Sequence, residues 1–448
     1  MCNAAYANIR REWVVRILLT TIGTRGDVQP FLALALGLRA AGHEVAMATC
    51  PRFESFITDH GLRFLPLDEG LLTLLESPFG REVFSNLNSL TGVLKSLPGI
   101  LRRVGPIHHR LVADAWSAVE AHQPDVIVYH PKLFCMPAFA AVRKVPAVLA
   151  LLNPMFVPTG EWPLPGLPRW PLGRAYNRAT WRLMHGVMNM SSRGYVNAWR
   201  RRHDPTGKSA ESAPSRIAQG RPVPVLHGFS ASVVPPPADW PDHVHTTGFW
   251  FMPPAESAAT ARPWAPPEAL QRYLDAGPPP VYVGFGSMAG TRPEATTRLV
   301  LDAIRQAKVR AVIATGWGGM TEASLPSSVF MLDAAPHEWL FPRMAAVVHH
   351  GGAGTTAAGL RAGCPTVICP FGLDQPFWGR AVAALGAGPD PIPQKRLTAE
   401  RLAAAIARAA GDATIRSNAA RVGRSIQAED GVARAVAIIE RIASSNPA

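Results

Sequence analysis

The stretch between Ala345 and Gly379 constrains the fold more than any other part of this chain. Its first four residues form an apolar run typical of a buried strand, and the glycine-rich run His349–Thr356 follows. We expect a helix over Thr355–Gly363 and a second strand over Thr366–Cys369. A strand, a turn, a helix and a strand in this order predict a unit of a parallel sheet.

The side chains of this stretch predict a nucleotide-sugar site. Glycine allows backbone N–H groups to approach an anion closely, and the N-terminus of the helix adds a favourable dipole. His350 and Thr355 supply side-chain donors beside that turn. Asp374 and Gln375 follow the second strand and could hold sugar hydroxyl groups.

Short apolar runs alternate with helical patterns in both halves of the chain, on either side of a proline-rich region. At 448 residues the chain suits two domains rather than one core. We predict an N-terminal domain over 1–235, a linker over 236–280, a C-terminal domain over 281–425 and a last helix over 426–448 that packs back on the first domain. The predicted fold class is α/β, with two Rossmann-like domains whose parallel sheets face a central cleft.

Composition limits the binding partners and the cellular compartment that we expect for the protein. Lys and Arg number 45 against 32 Asp and Glu, which gives a net charge of +13. That charge could serve an anionic nucleotide, an acidic membrane surface or nucleic acid, or could reflect solvated basic faces alone. Five cysteines without a CxxC motif suit a reducing compartment. No apolar run reaches the ~18 residues that a membrane span needs. We therefore expect a soluble, cytoplasmic protein.

Asp27 lies in a turn that follows the first predicted strand and precedes a helix. An aspartate here could cap the helix N-terminus, for reasons that need no catalysis. It could also act as a general base at the cleft and take a proton from an acceptor hydroxyl. The two roles are compatible, and the residues alone leave both open.

Other chemistries have weaker support. The turn Gly284–Ser287 resembles half of a dinucleotide fingerprint, but no acidic residue ends the next strand to hold a ribose. Ser287 is better suited to a phosphate oxygen. No HExxH motif is present, and His349 and His350 point to opposite faces of a strand, so we expect no metal. No GxSxG motif supports a serine nucleophile.

A proline-punctuated segment over 153–202 carries many aromatic residues, among them Phe156, Trp162 and Trp170. Such a segment fits an inserted element that recognises an apolar substrate. It equally fits a helical hairpin whose aromatic side chains fill the core.

Ordered motifs along nearly the whole chain carry a family resemblance: Gly23-Thr-Arg-Gly-Asp-Val-Gln-Pro30, Asp239-Trp-Pro-Asp-His-Val-His-Thr-Thr-Gly248, Val283-Gly-Phe-Gly-Ser-Met288, Ala335-Pro-His-Glu-Trp-Leu340, His349-His-Gly-Gly-Ala-Gly-Thr-Thr356, Asp374-Gln-Pro-Phe-Trp-Gly379 and Gly388-Pro-Asp-Pro-Ile-Pro393. The chain resembles family 1 glycosyltransferases of the GT-B architecture. Within them it is most similar to the branch of sterol glucosyltransferases and bacterial glycopeptide glycosyltransferases.

The resemblance implies roles for individual residues. Asp27 matches the general base of the glycopeptide-modifying relatives, and the aromatic residues Phe156, Trp162 and Trp170 become candidates for acceptor binding. The implied donor-binding residues are Ser287, His337, Trp339, His350, Gly352, Gly354, Thr355, Asp374 and Gln375. Two positions depart from plant relatives, which hold the ribose with a Glu where this chain has Ala358 and have Gln where it has His337.

The function implied is inverting transfer of a hexose, with glucose expected, from a UDP-type nucleotide sugar to a hydroxyl of a hydrophobic acceptor such as a sterol, terpenoid or polyketide. A nucleotide-sugar epimerase and a non-catalytic nucleotide- or lipid-binding protein are the alternatives. We expect no cofactor besides the UDP-sugar co-substrate, no metal and no nucleic-acid partner. A peripheral contact with the inner face of a membrane and the oligomeric state are left open.

Overall fold

The structure, a computed structural model, describes residues 14–77, 79–80, 90–165, 167–204, 222–253, 264–285, 293–314 and 325–445, with the backbone alone over most of 90–101. The first group of described strands is β1 (Arg16–Thr20), β2 (Glu44–Thr49), β3 (Arg63–Pro66), β4 (Val126–Tyr129), β5 (Ala147–Leu151), β6 (Val225–His227) and β7 (Val244–Thr246). The helices between them are α1 (Arg25–Ala40), α2 (Glu54–Thr58), α3 (Gly70–Glu76), α4 (Leu90–His122), α5 (Met136–Arg143) and α6 (Gly173–His203). These strands form one sheet in the order β3-β2-β1-β4-β5-β6-β7.

The second sheet contains β8 (Val281–Gly284), β9 (Ala311–Ala314), β10 (Val329–Leu332), β11 (Ala346–His349) and β12 (Thr366–Ile368). Its described strands lie in the order β10-β9-β8-β11-β12. The accompanying helices are α7 (Glu268–Asp275), α8 (Pro293–Ala307), α9 (His337–Leu340), α10 (Ala353–Arg361), α11 (Gln375–Ala384), α12 (Ala399–Gly411), α13 (Ala413–Gln427) and α14 (Gly431–Ser444).

The strand pairs described in both sheets are parallel, with registers such as Ile17 opposite Val126 and Val348 opposite Val283. Central strands such as β4 and β5 are buried along their whole length because helices cover both faces. The predicted α/β fold with two parallel sheets is therefore confirmed. No helix in the described part of the chain combines the length and apolar character needed to cross a bilayer.

Local signals set the limits of two helices in the first half. Helix α1 begins at Arg25, because Thr24 caps it and Asp27 supports that cap from the first turn. Helix α4 begins at Leu90 and continues through its prolines. The predicted linker contains β7, which pairs with β6, and α7, whose Leu270 is buried beside the second sheet.

The last two helices join different sheets. Helix α13 packs on α10, where its Ala419 and Val422 share an apolar cluster with Leu360. Helix α14 packs on α1, and its Val432 lies so close to Gly37 that a Cβ there would come within 2.3 Å of Cγ1. The chain thus returns to the first sheet at its last described helix.

Helix α14 should contribute to the stability of the first sheet. Ile439 is 0% exposed in the cluster that α14 shares with α1 and β1. Ile439→Ala is expected to lower the free energy of unfolding by about 2–5 kcal/mol, since it removes buried methyl groups and leaves a cavity. Urea unfolding measures the change. Ala437→Ser, on the exposed side of the same helix, is the matched control, and an Ile439→Ala change as small as that of the control would contradict this packing.

Candidate functional site

Each sheet has one point where the strand order reverses, and the candidate site residues gather at both. In the first sheet this point lies between β1 and β4, and in the second between β8 and β11. Ligands of such sheets bind at the carboxyl ends of the strands at this point. Asp27 follows β1 and His350 follows β11, so the sequence-predicted residues lie at these two positions.

Asp27 is held at the N-terminus of α1 by its own turn. Its Oδ2 accepts the backbone N–H of Thr24 at 2.8 Å and lies 3.4 Å from the Thr24 hydroxyl. Asp27 therefore supports the cap from the third position of the helix, while Thr24 is the N-cap residue itself. The capping contacts involve Oδ2 alone. The Oδ1 atom faces the end of β4.

Two residues that follow β4 face Oδ1 of Asp27. Lys132 Nζ lies 3.3 Å away and His130 Nε2 lies 3.5 Å away. Because Nδ1 of His130 accepts the backbone N–H of Lys132 at 3.3 Å, the proton of the neutral ring lies on Nε2 and points at Asp27. Burial, with the nearby Lys132 charge, lowers the pKa of His130 to about 3, which keeps the ring neutral.

The surroundings of Asp27 keep it ionised. Burial raises the pKa of its carboxyl, but Lys132, His130 and the N–H of Thr24 outweigh burial and hold the pKa below its ordinary value. Such a carboxylate is always available as a base near neutral pH and is intrinsically a weak one.

The turn before Asp27 has room for glycine alone. Gly23 has φ +146°, and a Cβ there would lie 2.0 Å from Oδ2 of Asp27 and 2.8 Å from Nζ of Lys132. A larger residue would push apart the ion pair that orients the carboxylate.

The turn between β11 and α10 places an exposed backbone at Gly354 and the half-buried imidazole of His350 at the edge of the second sheet. Gly351 has φ +93°, and a Cβ there would meet Ile368 at 2.7 Å. The imidazole of His350 folds over Gly352, its Nε2 2.7 Å from where a Cβ would stand, and no group in the described part of the chain bonds its Nδ1. Gly352 is the N-cap of α10, and Gly354 in its first turn faces open space. Thr355, in the same turn, is half-buried.

The neighbouring histidines have separate roles. His349 is fully buried, with its Nδ1 accepting the Gly351 N–H at 2.9 Å, so it shapes the turn from the core. Burial lowers the pKa of His350 to about 4, so at neutral pH it is an uncharged donor or acceptor. Between the two, His350 remains the candidate for an anionic ligand.

Asp374 lies at the N-terminus of α11 and faces the first sheet. Its Oδ2 accepts the indole N–H of Trp378 at 3.0 Å and the amide of Asn153, which follows β5, at 3.4 Å. Burial raises the pKa of Asp374, and the charge of Asp27 contributes to the rise. The charge of Asp27 therefore acts on Asp374 across the space between the two sheets.

Gln375 has a different geometry from the one predicted for a sugar ligand. It is 6% exposed, and its Oε1 accepts the backbone N–H groups of Phe371 and Gly372 at 2.8 and 3.3 Å. That oxygen shapes the loop before α11. Its role toward a sugar stays a prediction.

His337 and Trp339 lie on the short helix α9. His337 stacks on Phe341 with ring centroids 4.3 Å apart, and burial together with the charge of Arg25 lowers its pKa to about 4. Trp339 contacts Trp264 and lies under the guanidinium of Arg343. Both are half-buried.

The three aromatic residues predicted for acceptor binding have different surroundings. Phe156 packs against the core of the first sheet. Trp162 packs between Trp240 and Phe377, at the junction of the two halves. Trp170 is exposed. The core-filling interpretation thus holds for Phe156, and a shared acceptor pocket stays a prediction.

Sequence reasoning missed His130, Lys132 and Asn153. Each follows a strand, β4 or β5, so the rule that sites lie at the carboxyl ends of parallel strands could have found them. Ser287 lies outside the described residues. Within those residues, no group of three or more His, Cys, Asp or Glu side chains is arranged to hold a metal ion.

Two family models match the chain. Residues 17–114 match the glycosyltransferase family 28 N-terminal domain, and residues 298–441 match the C-terminal domain of erythromycin biosynthesis protein CIII-like proteins. The first match contains Asp27, and the second contains His350 and Asp374.

Curated relatives are sterol glucosyltransferases. A sterol 3-beta-glucosyltransferase from Arabidopsis thaliana is 35% identical over 94% of this chain, and one from Emericella nidulans is 35% identical over 98% of it. The chain spans 64% of the length of the plant protein and 31% of the length of the fungal one.

Solved structures share the fold. The glycotransferase of kitacinnamycin is 20% identical with a TM-score of 0.67 over 97% of this chain and 100% of that one. Glycosyltransferase VinC, solved in complex with DTDP, is 20% identical with a TM-score of 0.64 over 96% of this chain and 100% of that one. At this identity the likeness establishes the architecture of two facing sheets.

The charge of Lys132 should set the pKa of Asp27. Lys132→Met is expected to raise that pKa, because a positive charge 3.3 Å from Oδ1 is lost while the burial of the carboxyl remains. Carbon-13 NMR titration of labelled aspartate side chains measures it, with Asp27→Asn identifying the signal. Lys395→Met, at an exposed site, is the control. An Asp27 titration that is the same in Lys132→Met and wild type would contradict the arrangement.

Proposed function

We propose that this chain, which belongs to the glycosyltransferases of the GT-B architecture, transfers a hexose with inversion from a UDP-type nucleotide sugar to a hydroxyl of a hydrophobic acceptor. The observation that carries the proposal is the placement of Asp27 and Asp374 beside the carboxyl ends of strands in two sheets, which the hydrogen bond from Asn153 to Asp374 joins at 3.4 Å. One carboxylate then serves the acceptor side of the cleft and the other serves the sugar side.

The donor diphosphate is proposed to lie at the N-terminus of α10. Gly352 and Gly354 leave the backbone of this turn accessible, and the Nδ1 of His350 has no hydrogen-bond partner among the described residues. An anion beside the imidazole raises its pKa, so phosphate binding favours His350 as a hydrogen-bond donor. His337 and Trp339 are proposed to lie beside the nucleoside, with Ser287 on a phosphate oxygen.

The sugar is proposed to lie between α11 and α1. Asp374 has one oxygen committed to Trp378 and Asn153, which orients the other toward hydroxyl groups. The nucleotide is expected to be UDP and the hexose glucose, although Ala358 packs in an apolar cluster beside Trp339 and offers no carboxylate for a ribose.

Asp27 is proposed to take the acceptor proton. The acceptor oxygen forms a bond to the anomeric carbon while the bond from that carbon to the diphosphate oxygen breaks. The attacking hydroxyl becomes strongly acidic as its new bond forms, so its proton passes to Oδ1 of Asp27 even though that carboxylate is a weak base. UDP leaves with the bonding electron pair, facing the N–H groups of α10 and His350.

Positioning is expected to supply more of the rate than the helix dipole. A helix terminus contributes at most about 2 kcal/mol, whereas enzymes lower barriers by about 8 kcal/mol or more. Holding two substrates in the attacking geometry can supply about 7–11 kcal/mol. The cleft between two rigid sheets is suited to that task.

The acceptor is proposed to be a lipophilic alcohol. The curated relatives are named for sterols, and the segment over 153–170 brings Phe156, Trp162 and Trp170 into the acceptor half. Absence of a cofactor and of a metal, and a cytoplasmic location, stay predictions.

A transfer assay tests the proposal. The protein is incubated with UDP-glucose and a panel of sterols and other hydrophobic alcohols, and glycosides are identified by mass spectrometry. Asp27→Asn is expected to lower turnover by roughly 10²–10⁴-fold, because it removes the general base. Its binding of UDP, measured by calorimetry, should not change.

The Lys132→Met variant adds a pH test. As the pH falls, its kcat/KM should be lost at a higher pH than that of wild type, since Asp27 must be ionised and its pKa is higher in the variant.

His350→Ala is the complementary variant. It should weaken UDP binding by about ten- to a hundredfold, the equivalent of a hydrogen bond to a charged group of about 1.5–3 kcal/mol. His245→Ala, in the edge strand β7, is the matched control. UDP binding without any glycoside would contradict transfer and favour a binding protein. Conversion of the donor sugar without acceptor would favour an epimerase.

A further inference from the structure

Exposed apolar side chains concentrate in one part of the first sheet's outer layer. Nine large apolar side chains of the described surface are exposed, and six of them lie between residues 167 and 190. These six, which we call the α6 face, are Leu167, Trp170, Leu172, Leu183, Val187 and Met190. Scattered single residues of this kind need no explanation, but a contiguous group on one element marks a contact surface.

Three of them form a stripe on a helix that is firmly anchored. Leu183, Val187 and Met190 are spaced by four and three residues, so they lie on one side of α6, with 68%, 52% and 77% exposure. The opposite side of α6 places Trp181 and Trp199 in the core. Because the opposite side of α6 is packed in the core, the stripe is the outer surface of this helix.

The loop before α6 extends the stripe with an aromatic residue. Trp170 is 57% exposed and lies beside Tyr176, with ring centroids 5.6 Å apart, while Leu172 is exposed at the start of the helix. Amphipathic aromatic rings next to aliphatic side chains are typical of the boundary between lipid headgroups and acyl chains.

The charge around the α6 face is positive. Eight arginines and no Asp or Glu lie between Trp162 and His203. Arg182 and Arg193 are exposed on the same side of the helix, beside the stripe. Arg174 and Arg178 share one carboxylate, Asp239, at 3.1 Å each, so their charge is only partly offset.

We propose that the α6 face docks on a membrane surface that contains anionic lipids. Apolar side chains would enter the headgroup boundary, and the arginines would extend their charged ends to lipid phosphates. A second copy of this chain fits less well, because two such faces would bring like charges together. The net charge of +13 favours the same partner.

The segment that contains the α6 face also extends to the proposed acceptor side of the site. The segment that carries Trp170 starts at Asn153, whose amide contacts Asp374 in the cleft at 3.4 Å. A docked membrane would therefore lie at the far end of the segment that enters the acceptor side of the site. Membrane binding itself does not depend on the proposed reaction, and its test needs no turnover.

Vesicle co-sedimentation tests the proposal with the full chain. Vesicles of phosphatidylcholine alone are compared with vesicles that also contain phosphatidylglycerol. Wild type is expected to sediment with the anionic vesicles. The triple variant Leu183→Ser, Val187→Ser, Met190→Ser and the charge variant Arg182→Glu, Arg193→Glu should each bind them at least about tenfold more weakly. Val14→Ser with Leu75→Ser, at exposed apolar sites elsewhere, should bind as wild type does.

Unchanged circular dichroism and unchanged UDP affinity establish that the variants are folded. Wild type that stays in the supernatant with anionic vesicles would overturn the proposal. So would a triple variant that binds as tightly as wild type, or equal binding to both kinds of vesicle. Self-association in sedimentation velocity that is lost in the triple variant, without vesicle binding, would assign the α6 face to a second copy instead.

Discussion

The direction of the strands is the constraint on which the rest of this structure depends. Because the described strand pairs in both sheets are parallel, every strand delivers its following loop to the same edge. Two sheets that face each other by these edges bring Asp27, His130 and Lys132 from one half opposite His350 and Asp374 from the other. A few residues from distant parts of the sequence then form the site, and each is held in place by the strand that ends beside it.

Ionisation within the site follows from the same arrangement. Burial acts to raise the pKa of both aspartates, and the pKa of Asp374 is raised. Asp27 differs because Lys132 and His130 approach it from β4, so its pKa is lowered instead. Two carboxylates of opposite behaviour thus lie across one cleft. Asp27, with its lowered pKa, stays available to accept a proton, whereas Asp374 suits contacts to neutral hydroxyl groups.

Local patterns predicted much of this, and contacts between distant elements limited the rest. The unit over Ala345–Gly379 was predicted to within two residues at the start of its helix, because apolar runs and glycines act locally. Strand β7 was missed because prolines surround it and its partner β6 stabilises it. The importance of Lys132 could not be read from its neighbours in sequence, since its charge matters only beside Asp27, 105 residues away. The exposed side of α6 was likewise not predicted, because its segment mixes buried aromatic residues such as Trp181 with an exposed one, Trp170.

The stereochemistry of the product tests the central claim most directly. A base on the first sheet and a diphosphate site on the second require the acceptor oxygen to attack the anomeric carbon from the side opposite the leaving group. Proton NMR of a glycoside formed from UDP-α-glucose measures the configuration of that carbon. The account predicts a β-glycoside. An α-glycoside would contradict the single in-line displacement across the cleft.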